Sequence, residues 1–127
     1  MPLVRIDLPQ SIDADTGHAI GEAINRAMIE VISVPRGDKF QVITWHPREG
    51  RNLSSEYLGI RYSDNLVLIQ ITLNQGRTVE LKRAFYRRIA DDLAQLGLRK
   101  QDVVINLVEV SKENWSFGNG EMQYGPQ

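Results

Sequence analysis

Alternation opens the chain. In PLVRIDL, Val4, Ile6 and Leu8 fall on one side of an extended run, the spacing of a half-buried strand. From about Asp15 to Ser33 the period changes: Ile20, Ile24, Ala27, Met28 and Val31 recur at helical spacing, and VPRGD then supplies stop signals. FQVITW reads as a second strand. After it HPREGRNLSSEYLGIRYSDN is polar, rich in turn formers and predicts a long connection. LVLIQITL restarts the series with Val67, Ile69, Ile71 and Leu73 on one face. A short NQGR turn leads to Thr78, whose hydroxyl suits a helix N-cap, and Leu81, Ala84, Phe85, Ile89 and Leu93 form the stripe of a second helix. GLRKQ ends that helix and DVVINLVEV is the fourth strand.

Leu3 to Asp38 and Leu66 to Asp102 therefore trace the same order of strand, helix, polar turn and strand at nearly equal spacing. This predicts a tandem βαβ repeat of the α/β (α+β) class: one unit at about 2–46, a connection at about 47–64, a second unit at about 65–110 and a tail at 111–127. Right-handed crossovers put both helices on one face of a four-stranded mixed sheet. The other face then carries Leu66, Leu68, Val104, Val108 and Val110 among Gln70, Thr72 and Asn106, too apolar for comfortable exposure. Burial of that face in an oligomer is expected, the alternative being a cover made by the tail or the long connection.

Composition narrows the chemistry. With 127 residues, 42% of them hydrophobic, the chain has the size of one domain with a moderate core. Fifteen basic residues oppose 16 acidic ones, for a net charge of -1, so no overall field draws the protein to nucleic acid or to an anionic membrane. Cysteine is absent, which excludes thiolate catalysis and disulfides, and His18 and His46 alone make a poor metal inventory. No signal core or membrane-length apolar stretch is present, so a soluble cytoplasmic protein without cofactor is expected.

Pro2 is the first candidate for chemistry. A small residue after the initiator lets methionine aminopeptidase remove Met1, leaving a free secondary amine. An ordinary α-amino group has a pKa of about 7.7 to 8.0, within reach of tuning by burial and neighbouring charge, so such a group serves as base or acid near neutrality. The competing account is a proline that merely begins an edge strand. Arg77, between a strand end and a helix start, suits a carboxylate or phosphate, and Gln75 can donate to the same anion; an exposed loop arginine paired with a surface acid is the plain alternative. Asp38 can activate water or polarise a carbonyl, or else serve, like its counterpart Asp102, as a turn residue bonding backbone, a reading that suits Asp102 better and leaves Asp38 open. Trp115 and Phe117 in NWSFGNGEMQY can wall a pocket or pack the tail. The GNG there neither follows a strand nor opens a helix, so no phosphate cradle is expected. His46 reads as hydrogen-bonded structure, and Lys82, Arg83, Arg87 and Arg88 as a solvated helix face.

Taken together, MPLVRIDL, VPRGDKFQ, NQGRTVELKRAFY, DVVINLVEV and ENWSFGNGE resemble the tautomerase superfamily, and within it the malonate semialdehyde decarboxylase-like branch. The likeness runs through nearly the whole chain. It implies a tautomerase-like fold, a homotrimer with its sheets facing inward, and cofactor-independent chemistry on a small carboxylate substrate. It further implies that Pro2 is the catalytic amine, that Arg77 binds the substrate carboxylate, that Asp38 helps to activate water or orient a carbonyl, and that Trp115 and Phe117 lie near the pocket. One departure stands out: the decarboxylase pattern has arginine at both ends of an R-x-R stretch, and here Gln75 precedes Gly76 and Arg77. Glutamine supplies neither the charge nor the fixed two-pronged geometry. Keto-enol tautomerisation of a 2-oxo acid makes fewer demands on the missing cation than decarboxylation or hydration does. A non-enzymatic oligomeric binding module is the remaining alternative.

Overall fold

The computed structural model describes residues 2–126. Strand β1 (Leu3–Pro9) leads into helix α1 (Ala14–Ile32) and strand β2 (Gln41–His46). A connection carrying two short strands, β3 (Glu56–Tyr57) and β4 (Ile60–Arg61), precedes β5 (Val67–Asn74), α2 (Val79–Gln95) and β6 (Val103–Val110). The main sheet has the order β2-β1-β5-β6, with β1 and β5 antiparallel at its centre and each outer strand parallel to its inner neighbour. Each βαβ half thus contributes one side of a four-stranded mixed sheet, as the repeat predicts.

Local chemistry sets the helix ends. The Asp13 carboxylate accepts from the Thr16 amide at 2.7 Å and caps α1, and the Thr78 hydroxyl accepts from the Leu81 amide at 3.2 Å and caps α2. Helix α1 stops where Ser33 turns left-handed at φ 63°, with the Val34 amide returning to the Met28 carbonyl and Pro35 barring continuation. Between helices and sheet lies one core: Val4, Ile6 and Leu8 of β1, Val67, Ile69, Ile71 and Leu73 of β5, Ile20, Ile24 and Met28 of α1, and Phe85, Ile89 and Leu93 of α2. Complete burial of a side chain such as Phe85 removes enough apolar surface from water to contribute about 2–3 kcal/mol.

Three details depart from the sequence pattern. Leu81 and Ala84, expected in the α2 stripe, lie in the first two turns and are exposed, and the residues that α2 buries are Phe85, Ile89 and Leu93. Leu66, expected on the open face, lies just before β5 and is buried. The connection is also more ordered than its polar composition suggests, since the Glu56–Tyr57 and Ile60–Arg61 strands pair around a turn with Leu58 and Gly59 at positive φ.

The sheet face away from the helices remains open. Val42 and Val108 are exposed on it, and Gln70 donates to Asn106 across β5 and β6 at 3.1 Å. The tail leaves Val42 and Val108 exposed and meets the sheet at one end, where the Trp115 indole donates to Asn74 at the close of β5.

Candidate active site

That end gathers the candidates. Strand β1 starts there and β5 finishes there, with Leu3 opposite Thr72, while Val4 pairs with Gln41 at the start of β2 and donates to the Phe40 carbonyl at 2.9 Å. Pro2, one residue before these pairings, is buried. Asp38, two residues ahead of Phe40, is buried as well, at 8% exposure. Asn74, Gln75 and Arg77 leave β5 at the same end, and Trp115 and Phe117 follow β6 there. The removal of Met1 concerns a residue outside the described ones.

Arg77 is held from two directions. One Nη donates to the Asn74 carbonyl and the other to the Ile32 carbonyl at the last turn of α1, both at 3.1 Å. The α1 C-terminus, with its carbonyls directed outward, is a favourable place for a cation. Gly76, at φ 128°, makes the tight turn that brings Arg77 back toward α1. Arg77 remains half-buried, so its guanidinium is fixed and still reachable. Gln75 differs: its side chain is exposed, and its amide donates to the Val110 carbonyl at 2.9 Å.

The tail forms an aromatic row across this end. Trp115 stacks on Phe117 with ring centroids 5.4 Å apart, Phe117 lies 6.4 Å from Phe40, and Tyr124 meets Phe117 edge-on at 5.1 Å. Phe40 precedes β2 and Trp115 follows β6, so the row joins the segments that flank the two outer strands. The Trp115 indole donates to Asn74 Oδ1 at 2.8 Å. Asn74 therefore holds Arg77 through its backbone and Trp115 through its side chain. Sequence reasoning passed over Asn74, Phe40 and Tyr124. Asn74 carries a turn signal, as an asparagine shortly before a glycine, but nothing local announces partners 3 and 41 residues away.

Electrostatics around the site are local. Lys82 donates to Glu109 at 2.8 Å and, with the Gly76 amide and the Arg77 charge, holds that carboxyl below its usual range. Lys39, next to Asp38, is ion-paired with Glu22 and turned toward α1. Asp102, the counterpart of Asp38, is structural as expected: it accepts from both the amide and the hydroxyl of Ser63 in the long connection. Among the described residues no group of three or more His, Asp or Glu side chains is placed to hold a metal ion.

A family model described as tautomerase enzyme matches residues 38–118. The chain belongs to the tautomerase family. It is 40% identical over 124 residues to a "Probable tautomerase YusQ" of Bacillus subtilis (strain 168), covering 97% of this chain and 98% of that one. Among solved structures, this tautomerase-family enzyme is similar to FG41 malonate semialdehyde decarboxylase inhibited by 3-bromopropiolate, with TM-score 0.89, 34% identity, and 96% and 93% of the two chains covered. It is also similar to a malonate semialdehyde decarboxylase described with decarboxylase and hydratase activities, with TM-score 0.87, 28% identity, and 96% and 95% coverage. A fused 4-OT that forms a symmetric trimer shares the fold at TM-score 0.77 and 23% identity over 94% of each chain. No helix among the described residues is long and apolar enough to cross a membrane.

Proposed function

We propose that this enzyme catalyses keto-enol tautomerisation of a small 2-oxo carboxylic acid without a cofactor, using the Pro2 amine freed by removal of Met1. Arg77 anchors the substrate carboxylate. Neutral Pro2 takes a proton from carbon, a donor such as Gln75 or a backbone amide stabilises the enolate oxygen, and proton delivery to the alternative site completes the cycle. Trp115 and Phe117 supply an apolar wall that lowers the local polarity and strengthens the carboxylate-guanidinium pairing. The observation that carries this reading is the convergence, at one end of the sheet, of a buried Pro2 and a guanidinium fixed by two backbone carbonyls.

A second reading is decarboxylation or hydration of a small 3-oxo or unsaturated acid, with a protonated Pro2 and Asp38 as the working pair. It is favoured by the likeness to malonate semialdehyde decarboxylase structures and by the burial of Asp38 at the same end as Pro2. The open sheet face, with Val42 and Val108 exposed, supports assembly as a homotrimer that buries it.

Intact mass of natively expressed protein, with a phenylpyruvate enol-keto assay, tests the first reading. The expected result is loss of Met1 and a fall of about 100-fold or more for Pro2→Ala, the scale of a general base. Retained Met1, or full activity in Pro2→Ala, overturns it in favour of a non-catalytic oligomeric binding module. Asp38→Asn separates the two enzymatic readings: it is expected to cost less than Pro2→Ala, and the reverse order establishes the second.

A further inference from the structure

The opposite end of the sheet holds a cavity that the proposed chemistry leaves unused. Strands β1 and β2 finish there at Pro9 and His46, and residues 47–66 border a half-open cavity of about 440 Å³. That volume lies in the range of small-molecule sites. Arg51 reaches into its wall from this connection: Nη2 donates to the Leu66 carbonyl, while Nη1 is shielded from solvent and has no hydrogen-bond partner among the described residues. A shielded guanidinium donor without an acceptor is unfavourable, and a turn of the Arg51 side chain toward the cavity would bring that donor to an anion there, in the geometry that arginine pairs best.

The rest of the lining agrees. Arg48 adds a second guanidinium; its contact with Asp64 is 3.5 Å long between two almost fully exposed side chains and leaves it available. Ser54 and Ser55 bring exposed hydroxyls. His46 is tied to Asp7 at 2.7 Å, which fixes the imidazole in the wall. Burial pushes the Arg51 guanidinium below its ordinary value, while Asp64 and Asp7 act in the other direction, and arginine stays charged throughout the useful pH range.

We propose that the cavity lined by Arg51, Arg48, His46, Ser54 and Ser55 is a second small-molecule site, separate from the Pro2 end, that receives the carboxylate or phosphate group of a small anion. The inference does not depend on the catalytic reading of Pro2, and its test reads binding instead of turnover.

The full chain, labelled with nitrogen-15, is titrated at constant pH and ionic strength with inorganic phosphate and, separately, with acetate. Saturable shifts of the Arg51 Nε-H and of the Ser54 and Ser55 amides are expected. Saturation by phosphate alone assigns a phosphate ligand, and by acetate alone a carboxylate; either supports the site. Arg51→Gln is expected to weaken binding about 10-fold or more, equivalent to about 1.4 kcal/mol. If that variant does not fold, Arg48→Ala, a change on an exposed side chain, is expected to weaken binding several-fold. Absence of saturation at these positions, saturation confined to residues 75–78, or binding unchanged in the folded variants overturns the proposal.

Discussion

Arg77 donates to the carbonyl of Ile32 at 3.1 Å, joining the turn after β5 to the last turn of α1 across 45 residues of sequence. The same bond that ties the two halves together sets the direction of the guanidinium. Arg77→Lys keeps the charge but cannot hold both carbonyls in one plane. Its expected effect is a fall of about 10-fold or more in kcat/KM for a carboxylate substrate, with a smaller stability loss than Arg77→Ala. The alanine variant removes donors from two backbone carbonyls and is expected to cost about 1–3 kcal/mol in urea denaturation.

Asn74 connects that arginine to the aromatic tail, and Asn74→Ala separates the two functions of the residue. The backbone acceptor for Arg77 remains, while the side-chain acceptor for the Trp115 indole is lost. The chain has two tryptophans, so the indole N-H signals are simple to follow. In Asn74→Ala the Trp115 indole is expected to lose its protection from hydrogen exchange. The Trp45 indole, bonded to the Ile12 carbonyl at 2.8 Å, keeps its protection. Stability is expected to fall by about 1 kcal/mol.

Gly17 tests packing against propensity. In an open helix a Gly→Ala change stabilises by about 1 kcal/mol. Here an added Cβ would sit 2.4 Å from Trp45 Cζ2 and 3.1 Å from Leu8 Cδ1. The hydrogen bond from Trp45 to Ile12 opposes retreat of the indole. Gly17→Ala is therefore expected to destabilise by about 1–3 kcal/mol, read as a lower urea midpoint at unchanged slope.

Acid sensitivity is expected where the helices of the two halves meet. Arg88 donates to Glu30 on α1 at 2.6 Å and to Asp92 on its own helix at 2.7 Å. The bond from Arg88 holds the Glu30 carboxyl below its ordinary 4.5. A carboxyl whose pKa is lower folded than unfolded binds protons more readily when unfolded, so its contribution is present above 4.5 and is lost as pH falls through the folded value. Glu30→Gln is accordingly expected to lower the urea midpoint slightly at neutral pH, to leave it little changed in strong acid, and so to flatten the acid limb of the midpoint against pH. Because the pair is solvent-exposed, added salt is expected to diminish the difference.

The fold was legible in the sequence because it rests on periodicity. Alternation at Val4, Ile6 and Leu8 and at Val67, Ile69 and Ile71, the helical spacing of Ile20, Ile24 and Met28, and the Thr78 cap are local patterns repeated in both halves, and short crossovers leave few ways to assemble them. Pro2, Asp38, Arg77, Trp115 and Phe117 were legible as candidate site residues for a different reason, their joint likeness to a family pattern, and the roles given to them remain those proposed above. What only the tertiary structure decided is how distant residues share one end of the sheet: Arg77 clamped onto Ile32, Trp115 bonded to Asn74, Phe117 beside Phe40, and Arg51 enclosed at the opposite end. Such contacts join residues far apart in the chain and depend on three-dimensional direction. A linear pattern records which side of its own element a residue faces, and the partner it meets there is fixed only when the strands and helices pack.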